Sequence, residues 1–400
     1  MKNLIMYRLR RKNFVRQRNY LLAQLLDLLG FSTIWTVNKI FYKNDLIIKK
    51  ILLIRLDHIG DVLLTTPAIR GIRKRYPKAH ISCMAGSWSR DILIDNPDID
   101  ELILYDAPWF KRGGLNGRGG IIDLFKFAFR IRRRRYDLSV DFRPDIRNFF
   151  LSYIIGSKKR IGFGLKGGGF FLTDIPPLFE WKHVFEMNLD LVRFLGAKKI
   201  NPDLQLTIPE DQGIYADEIL RGNGLTRNDF IIGFSPTAGC KSKEWILDGW
   251  SDLGDDLREM YDAKIIILGE EGSEWIGDEI SKKMNKEPIN LIGKTNLKQL
   301  AAIIKKMNLV ITLDSAPRHI SSAVRTPVIV LRYGGDIKGL WDGYGKDYYV
   351  IAKDVPCSPC GYTICPRPNH DCMNKITKKE IIALIKANIH PSMHQGNIMR

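Results

Sequence analysis

Nine short apolar runs, separated by segments of helix length, constrain this chain more than any other feature. ILLIRL (51–56), HISCMAG (80–86), ELILYD (101–106) and YDLSVDF (136–142) lie in the first half. IIGFS (231–235), KIIILG (264–269), INLIG (289–293), LVITLD (309–314) and PVIVLR (327–332) lie in the second. Most are too short and too rich in β-branched residues to be helices, and they lack the alternation of a half-exposed strand, so they predict parallel strands buried on both faces. Strands alternating with helices predict an α/β fold, and 400 residues exceed the usual size of one core. The expected organisation is a basic amphipathic extension (1–49), a doubly wound half (50–201), a second doubly wound half (202–355), a Cys-rich loop (356–375), and a C-terminal helix and tail (376–400). DLQLTIPEDQ (203–212) reads as the crossover between the halves, and Gly113–Gly120 and Gly167–Gly169 as mobile loops.

Asp314 to Gly334 (DSAPRHISSAVRTPVIVLRYG) holds a polar cluster between two apolar strands instead of on a solvated face. Asp314 falls at a strand's carboxyl end, where ligands bind in open α/β sheets. Ser315 stands where it can cap the helix beginning near Ala316, Pro317 suits the first turn, and Ser321, Ser322 and Ala323 are small enough for close packing on the sheet. The same grammar recurs upstream. ILLIRL is followed by DHIGD (57–61) and the amphipathic VLLTTPAIRGIRKRYP, a strand, glycine turn and helix in which Gly60 lets backbone N–H groups approach a phosphate. IIGFS is followed by the small-residue loop PTAG, then Lys243 and Trp245. AKIIILGEEGSE gives a strand, a glycine and the late carboxylate Glu274, with Glu270 and Glu271 nearby. Each residue also has a plain structural reading. Asp61 suits a helix dipole, Lys243 a solvated surface, His319 a core, and Glu274 a helix cap.

Taken in order, these four segments resemble glycosyltransferase family 9, the heptosyltransferases of lipopolysaccharide synthesis, over roughly Lys50 to Lys375. Arg55, Ile59, Gly60, Asp61, Val62 and Pro67 match the family's N-terminal signature, Lys243 and Trp245 its Lys-x-Trp, and Asp314, Ser315 and His319 its C-terminal signature. Ala316 and Thr237 stand where the family usually has glycine, and Ile246 where it usually has proline.

The resemblance implies a GT-B fold of two Rossmann-like domains facing a central cleft, with the acceptor on the N-terminal domain and the nucleotide sugar on the C-terminal one. It implies inverting transfer of heptose from ADP-heptose to a lipid-anchored saccharide, without a catalytic metal or cofactor. Asp61 would be the general base, Lys243 and Thr237 would stabilise the departing diphosphate with Gly60 backbone donors, Glu274 would hold the ribose, and Asp314, Ser315 and His319 would orient sugar or phosphate. Two alternatives stay open from sequence: a related transferase using another nucleotide sugar or a protein acceptor, and an inactive scaffold bound to membrane or nucleic acid.

The formal charge of +18 is concentrated in two windows. Residues 1–50 hold eleven Lys or Arg against two Asp, and residues 111–135 hold nine against one. In the first, Arg8, Arg10, Arg11, Lys12, Arg16 and Arg18 alternate with apolar residues up to Trp35 and Tyr42, which suits an interfacial helix on anionic lipid. In the second, Arg130 and Arg132 to Arg135 follow an apolar helix face (Ile121, Ile122, Leu124, Phe125, Phe127, Ala128), suited to acceptor phosphates, a membrane, or simple solvation. No nucleic-acid motif accompanies the charge, which disfavours that class of partner. No run is long and apolar enough to span a bilayer and no signal peptide is evident, so the expected place is the cytoplasm, peripheral on the membrane's inner face.

Cys357, Cys360, Cys365 and Cys372 fall within sixteen residues, with Cys83 and Cys240 set apart as thiols expected to be buried. In a cytoplasmic protein such clustering favours a structural zinc or iron over disulfides, with His370 as an alternative ligand and free thiols as the other reading.

Overall fold

The structure, a computed structural model, describes residues 27–36, 46–110, 120–178, 180, 182–335 and 337–389. The chain divides into two compact units, Met1–Pro202 and Asp203–Arg400.

In the first unit five strands, β1 (Lys50–Arg55), β2 (His80–Ala85), β3 (Glu101–Leu104), β4 (Leu138–Asp141) and β5 (Lys159–Gly162), pair in parallel in the order β3-β2-β1-β4-β5. Ile51 to Ile54 of β1 are fully buried, as a central strand covered on both faces must be. Leu52 and Ile54 pack with Phe127, Ala128 and Ile131 of the helix Ile121–Arg132, and with Leu151, Ile154 and Ile155 of the helix Ile146–Ile155. Each buried Leu, Ile or Phe among them contributes on the order of 1.5–3 kcal/mol.

The second unit repeats the plan with β6 (Ile231–Ser235), β7 (Lys264–Ile267), β8 (Ile289–Asn290), β9 (Leu309–Leu313), β10 (Val328–Arg332) and β11 (Tyr348–Ala352), all parallel, in the order β11-β10-β9-β6-β7-β8. Its core joins Phe234 of β6 to Trp250, Leu253 and Leu257 of the helix Leu247–Tyr261, and continues to Ile381 and Ile385 of the final helix Lys378–Asn388.

Both sheets reverse their winding once. The chain runs outward from β1 through β2 to β3, then returns to the other side of β1 as β4. Likewise it runs from β6 through β7 to β8, then returns beside β6 as β9. The register sets Ile54 beside Asp141 and Ser235 beside Thr312. Such reversals leave a crevice beyond the strands' carboxyl ends.

Several expectations are corrected. β5 and β11 were not among the nine runs. Both are edge strands, and KRIG and YYVIA carry the polar or half-exposed residues that an edge tolerates. The end of the 203–212 crossover already belongs to the helix Glu210–Gly222. Gly167–Gly169 is buried: Gly168 N–H donates to Asp27 Oδ1 at 2.7 Å, and its φ of 76° requires the left-handed region. Trp35, read as a lipid-facing residue, packs partly buried with Phe31 against the Phe149–Phe170–Phe171–Leu172 cluster. Arg8, Arg10, Arg11, Lys12, Arg16 and Arg18 of the N-terminal extension, and Gly113 to Gly119, lie outside the described residues.

Candidate functional site

The first unit gathers charge where its sheet reverses. Asp57 and Asp61 follow β1, and Arg143 and Asp145 follow its neighbour β4, so parallel pairing brings residues 86 positions apart into contact: Arg143 Nη1 donates to Asp57 Oδ1 at 2.6 Å. Arg55, the last residue of β1 and nearly fully buried, donates to the Phe142 carbonyl at 2.6 Å and to Asp61 Oδ1 at 3.3 Å. Asp61 lies in the first turn of the short helix Ile59–Leu63, where its side chain is mostly enclosed. Burial and then the Asp57 charge push its carboxyl from 3.8 up to about 7, against the pull of Arg55 and Arg143. That value suits a general base working near neutrality.

Gly60 does not form the expected glycine turn. It is a buried helical residue outside the positive-φ set, and its carbonyl accepts from Leu64 N–H at 2.9 Å. Behind the pair, burial holds Asp141 well above the usual carboxylate range. An aromatic wall stands alongside. Trp88 Nε1 donates to the Asp57 carbonyl at 2.8 Å, Trp88 stacks on Phe110 at 4.9 Å, His58 meets Phe110 edge-on at 4.8 Å, and Arg143 lies over the same ring at 5.2 Å. Gly86 permits this, since a Cβ there would stand 2.2 Å from the Trp88 ring.

The second unit builds its cluster at the corresponding reversal. Asp314 directly follows β9, and Lys243 lies in the single 3₁₀ turn Lys241–Lys243 beyond β6. Lys243 Nζ meets Asp314 Oδ2 at 3.2 Å, donates to the Asp314 carbonyl at 3.1 Å, and sits 4.9 Å from the centre of the Tyr333 ring, just beyond β10. Arg318, one helical turn on, pairs with Asp314 Oδ1. Two cations thus share one buried carboxylate, which leaves a net positive charge for an anion.

The other proposed ligand residues are less directly engaged. His319 is 4 % exposed and accepts from Arg318 Nε at Nε2, 3.0 Å away. Ser315 occupies the N-cap position of the helix Ala316–Val324 but makes no side-chain cap bond, contrary to expectation; its Oγ lies 3.4 Å from Thr312 Oγ1. Of the three small residues expected to pack that helix, only Ser321 is fully buried. Thr237 follows β6 and is buried against the loop after β7, so that a Cβ on Gly269 would meet its methyl at 2.9 Å. Glu274, exposed, begins the helix Glu274–Lys283, and its Oε1 accepts from Gly272 N–H at 3.0 Å, in the loop before the helix; the helix has no side-chain cap, so the capping reading does not hold. Backbone hydrogen bonds, its own first, lower its pKa. Trp245 is core: it meets Trp250 at 5.4 Å, and its Nε1 donates to the Ile376 carbonyl at 3.1 Å.

Cys357, Cys360, Cys365 and Cys372 line one pocket with Arg367, His370 and Asp371. Burial and neighbouring thiols raise Cys372, opposed by a backbone hydrogen bond from Gly334. Among the described residues no group of three or more His, Cys, Asp or Glu side chains is disposed to hold a metal ion. His370, the alternative ligand, directs Nε2 to the Ser242 carbonyl at 2.9 Å instead. Cys83 is buried and pushed up to about 12 by that burial, whereas Cys240 is only partly buried.

Sequence reasoning missed Asp57, Arg143 and Arg318. The signal for Arg143 was present, since DFRPD (141–145) places charged residues directly after a strand, as DHIGD does after β1. Arg318 lies inside the same DSAPRH segment that drew attention to Asp314 and His319.

Known proteins resemble this chain in both sequence and fold. The lipopolysaccharide core heptosyltransferase OpsX of Haemophilus influenzae is 28% identical over 290 residues, covering 71% of this chain and 78% of the relative. Lipopolysaccharide heptosyltransferase 3 of Escherichia coli K12 is 29% identical over 279 residues, covering 68% and 79%. Among solved structures, a glycosyltransferase family 9 protein of Veillonella parvula aligns with a TM-score of 0.74 at 25% identity, over 86% of this chain and 98% of that one. The E. coli ADP-heptose lipopolysaccharide heptosyltransferase II shares the GT-B fold, with a TM-score of 0.67 at 22% identity over 84% and 98%. The family model for glycosyltransferase family 9 (heptosyltransferase) matches residues 124–370, more than half of the chain and including the Lys243–Asp314 cluster. On that match, the chain belongs to glycosyltransferase family 9, the heptosyltransferases, and is a transferase enzyme.

Proposed function

We propose that this enzyme transfers heptose, with inversion, from ADP-heptose to a saccharide of the lipopolysaccharide core. The observation that carries the mechanism is the carboxyl of Asp61, enclosed beside Asp57 and raised to about 7. In this reading the ionised Asp61 takes the proton of an acceptor hydroxyl as its oxygen attacks the anomeric carbon, and the bond from that carbon to the diphosphate breaks on the opposite face. General-base assistance of this kind is worth roughly a hundred- to ten-thousandfold. Arg55 keeps the Asp61 carboxylate oriented while Arg143 holds its neighbour Asp57, and the Trp88–Phe110–His58 wall offers aromatic faces to a sugar ring. Lys243, with Arg318 behind it, neutralises the departing diphosphate by fixed charge, and Thr237 supplies a hydroxyl. Ser315, His319 and Glu274 are proposed as contacts to the sugar, phosphate and ribose.

The acceptor is lipid-anchored in this reading, so a surface that meets anionic lipid is part of it. No helix among the described residues is long and apolar enough to cross a membrane. Supporting a peripheral contact, the helix Ile121–Arg132 buries Leu124, Phe127, Ala128 and Ile131 and leaves Ile121, Ile122 and Phe129 more than half exposed. The exposed Lys126, Arg130 and Arg133 flank them, making an apolar stripe edged by cations. At the Cys pocket the proposal is one structural zinc or iron held by Cys357, Cys360, Cys365 and Cys372. The donor set supports it, and ligation requires the thiols to draw together.

Calorimetric titration with ADP, UDP, GDP and CDP, then ADP-heptose, tests the donor assignment. Selective binding of ADP and ADP-heptose, weakened in Lys243→Ala, is the expected result. Preference for another nucleotide refutes the donor, and no nucleotide binding refutes Lys243 as the diphosphate cation and the transfer mechanism with it.

A further inference from the structure

All three polar groups of Ser242, the residue before Lys243, are bound by the Cys-rich loop. Ser242 N–H donates to the Thr363 carbonyl at 3.1 Å, its hydroxyl donates to the Tyr362 carbonyl at 2.5 Å, and its carbonyl accepts from His370 Nε2 at 2.9 Å. The same loop grips the other flank of the Lys243 ammonium. Cys360 N–H donates to the Gly334 carbonyl at 3.3 Å and Gly361 N–H to the Gly335 carbonyl at 3.1 Å, directly after Tyr333, whose ring lies under Lys243 Nζ.

The 3₁₀ turn of Lys241–Lys243 is three residues long and has no side-chain cap of its own. A single turn of this kind is weakly held by its own hydrogen bonds, so its position is set by what binds it from outside. Ser242 is only 2 % exposed, and the loop residues that bind it come from some 120 positions further along the chain. A distant segment therefore fixes the backbone from which Lys243 projects.

We infer that the Cys-rich loop is a positioning strap for Lys243, with Ser242 and His370 as its positioning residues. The strap sets how well the ammonium meets the nucleotide diphosphate. This rests on the reading of Lys243 as the diphosphate cation. The Ser242 carbonyl can only accept, so His370 donates to it from Nε2, and the strap needs a donor at that position.

A double-mutant cycle read by calorimetry with ADP tests this, using the full chain. His370→Ala and Ser242→Ala each remove one strap bond and should weaken ADP by about fivefold, the loss expected for one hydrogen bond. Ser242→Ala changes a single hydroxyl and guards against a His370 variant that fails to fold, with melting temperatures measured for all. His370→Gln, which keeps an N–H donor, should recover most of the affinity. In a Lys243→Ala background the same substitutions should change ADP affinity less than about twofold, because the strap acts through the missing ammonium. Equal effects in both backgrounds overturn the proposal, as does unchanged ADP affinity in Ser242→Ala and His370→Ala when Lys243→Ala itself weakens binding. If Lys243→Ala alone leaves ADP affinity intact, the diphosphate reading fails, and the strap proposal with it.

Discussion

Asp57→Asn tests whether the charge beside Asp61 sets the working range of the base. The native Asp61 carboxyl is pushed from 3.8 to about 7, by burial first and by the Asp57 charge second. That rise of roughly three units corresponds to about 4 kcal/mol favouring the protonated form, at ~1.4 kcal/mol per unit. In the proposed mechanism transfer requires the ionised carboxylate, so kcat/KM should climb to a plateau above neutrality, standing near half of it at about pH 7 and near a tenth at about pH 6. Asparagine at 57 removes the like charge while leaving Arg55 and Arg143 facing Asp61. The acidic limb should therefore move down by at least about one unit. Initial rates under donor- and acceptor-limiting conditions from about pH 5 to 9 give that limb for both proteins. Its position matters more than the plateau height, which any disturbance of Arg143 would lower. An unmoved limb, or one displaced to higher pH, refutes the role assigned to Asp57; a native profile without an acidic limb refutes Asp61 as the base.

The same carboxyl makes a stability prediction of definite sign. Folded protein keeps the Asp61 proton up to about 7, whereas the unfolded chain loses it near 3.8, so between these values the folded state binds more protons. This contribution is complete below the unfolded value and declines as pH rises through the folded one, by up to about 4 kcal/mol. The decline should be smaller in Asp57→Asn, as read from urea midpoints on either side of the window.

Three further outcomes are expected. Trp250→Ala, which empties a fully buried position between Phe234 and Trp245, should cost about 3–5 kcal/mol in urea unfolding, and a loss below ~1 kcal/mol would contradict its place in the core. Ile122→Glu combined with Phe129→Glu should weaken cosedimentation with phosphatidylcholine–phosphatidylglycerol vesicles by at least about tenfold, and unchanged binding would remove this helix as the lipid-facing surface. Purified protein should carry about one equivalent of zinc or iron, lost in a Cys357→Ser, Cys360→Ser double variant; less than about a tenth of an equivalent, with all four thiols freely titratable, would end the ligation proposal.

How much was legible in the sequence follows from what each signal depends on. β1, β6, β9 and β10 could be read because a strand covered on both faces must be apolar throughout, whatever its neighbours. β5 and β11 could not: KRIG is mostly buried yet carries Lys159 and Arg160, and YYVIA is mostly part-exposed, so neither edge strand reads as a wholly apolar run. Asp61, Lys243 and Asp314 were legible for a related reason: each lies shortly beyond a readable strand, and in a parallel sheet all such ends share one edge.

The partners of these residues were a harder matter. Asp57 meets Arg143 only because β4 returns beside β1, and Lys243 meets Asp314 only because β9 returns beside β6. Strand order is a property of the whole sheet, and no local window contains it. Reading polar residues one to three places beyond every apolar run would have found Arg143 as a member of the set. Only the winding reversal joins it to Asp57, and through Asp57 to the Asp61 carboxyl proposed as the base. Burial raises the Asp61 carboxyl first and the Asp57 charge second; Arg55 of the same strand tempers that rise, and Arg143, brought in by the winding reversal, adds a smaller pull in the same direction.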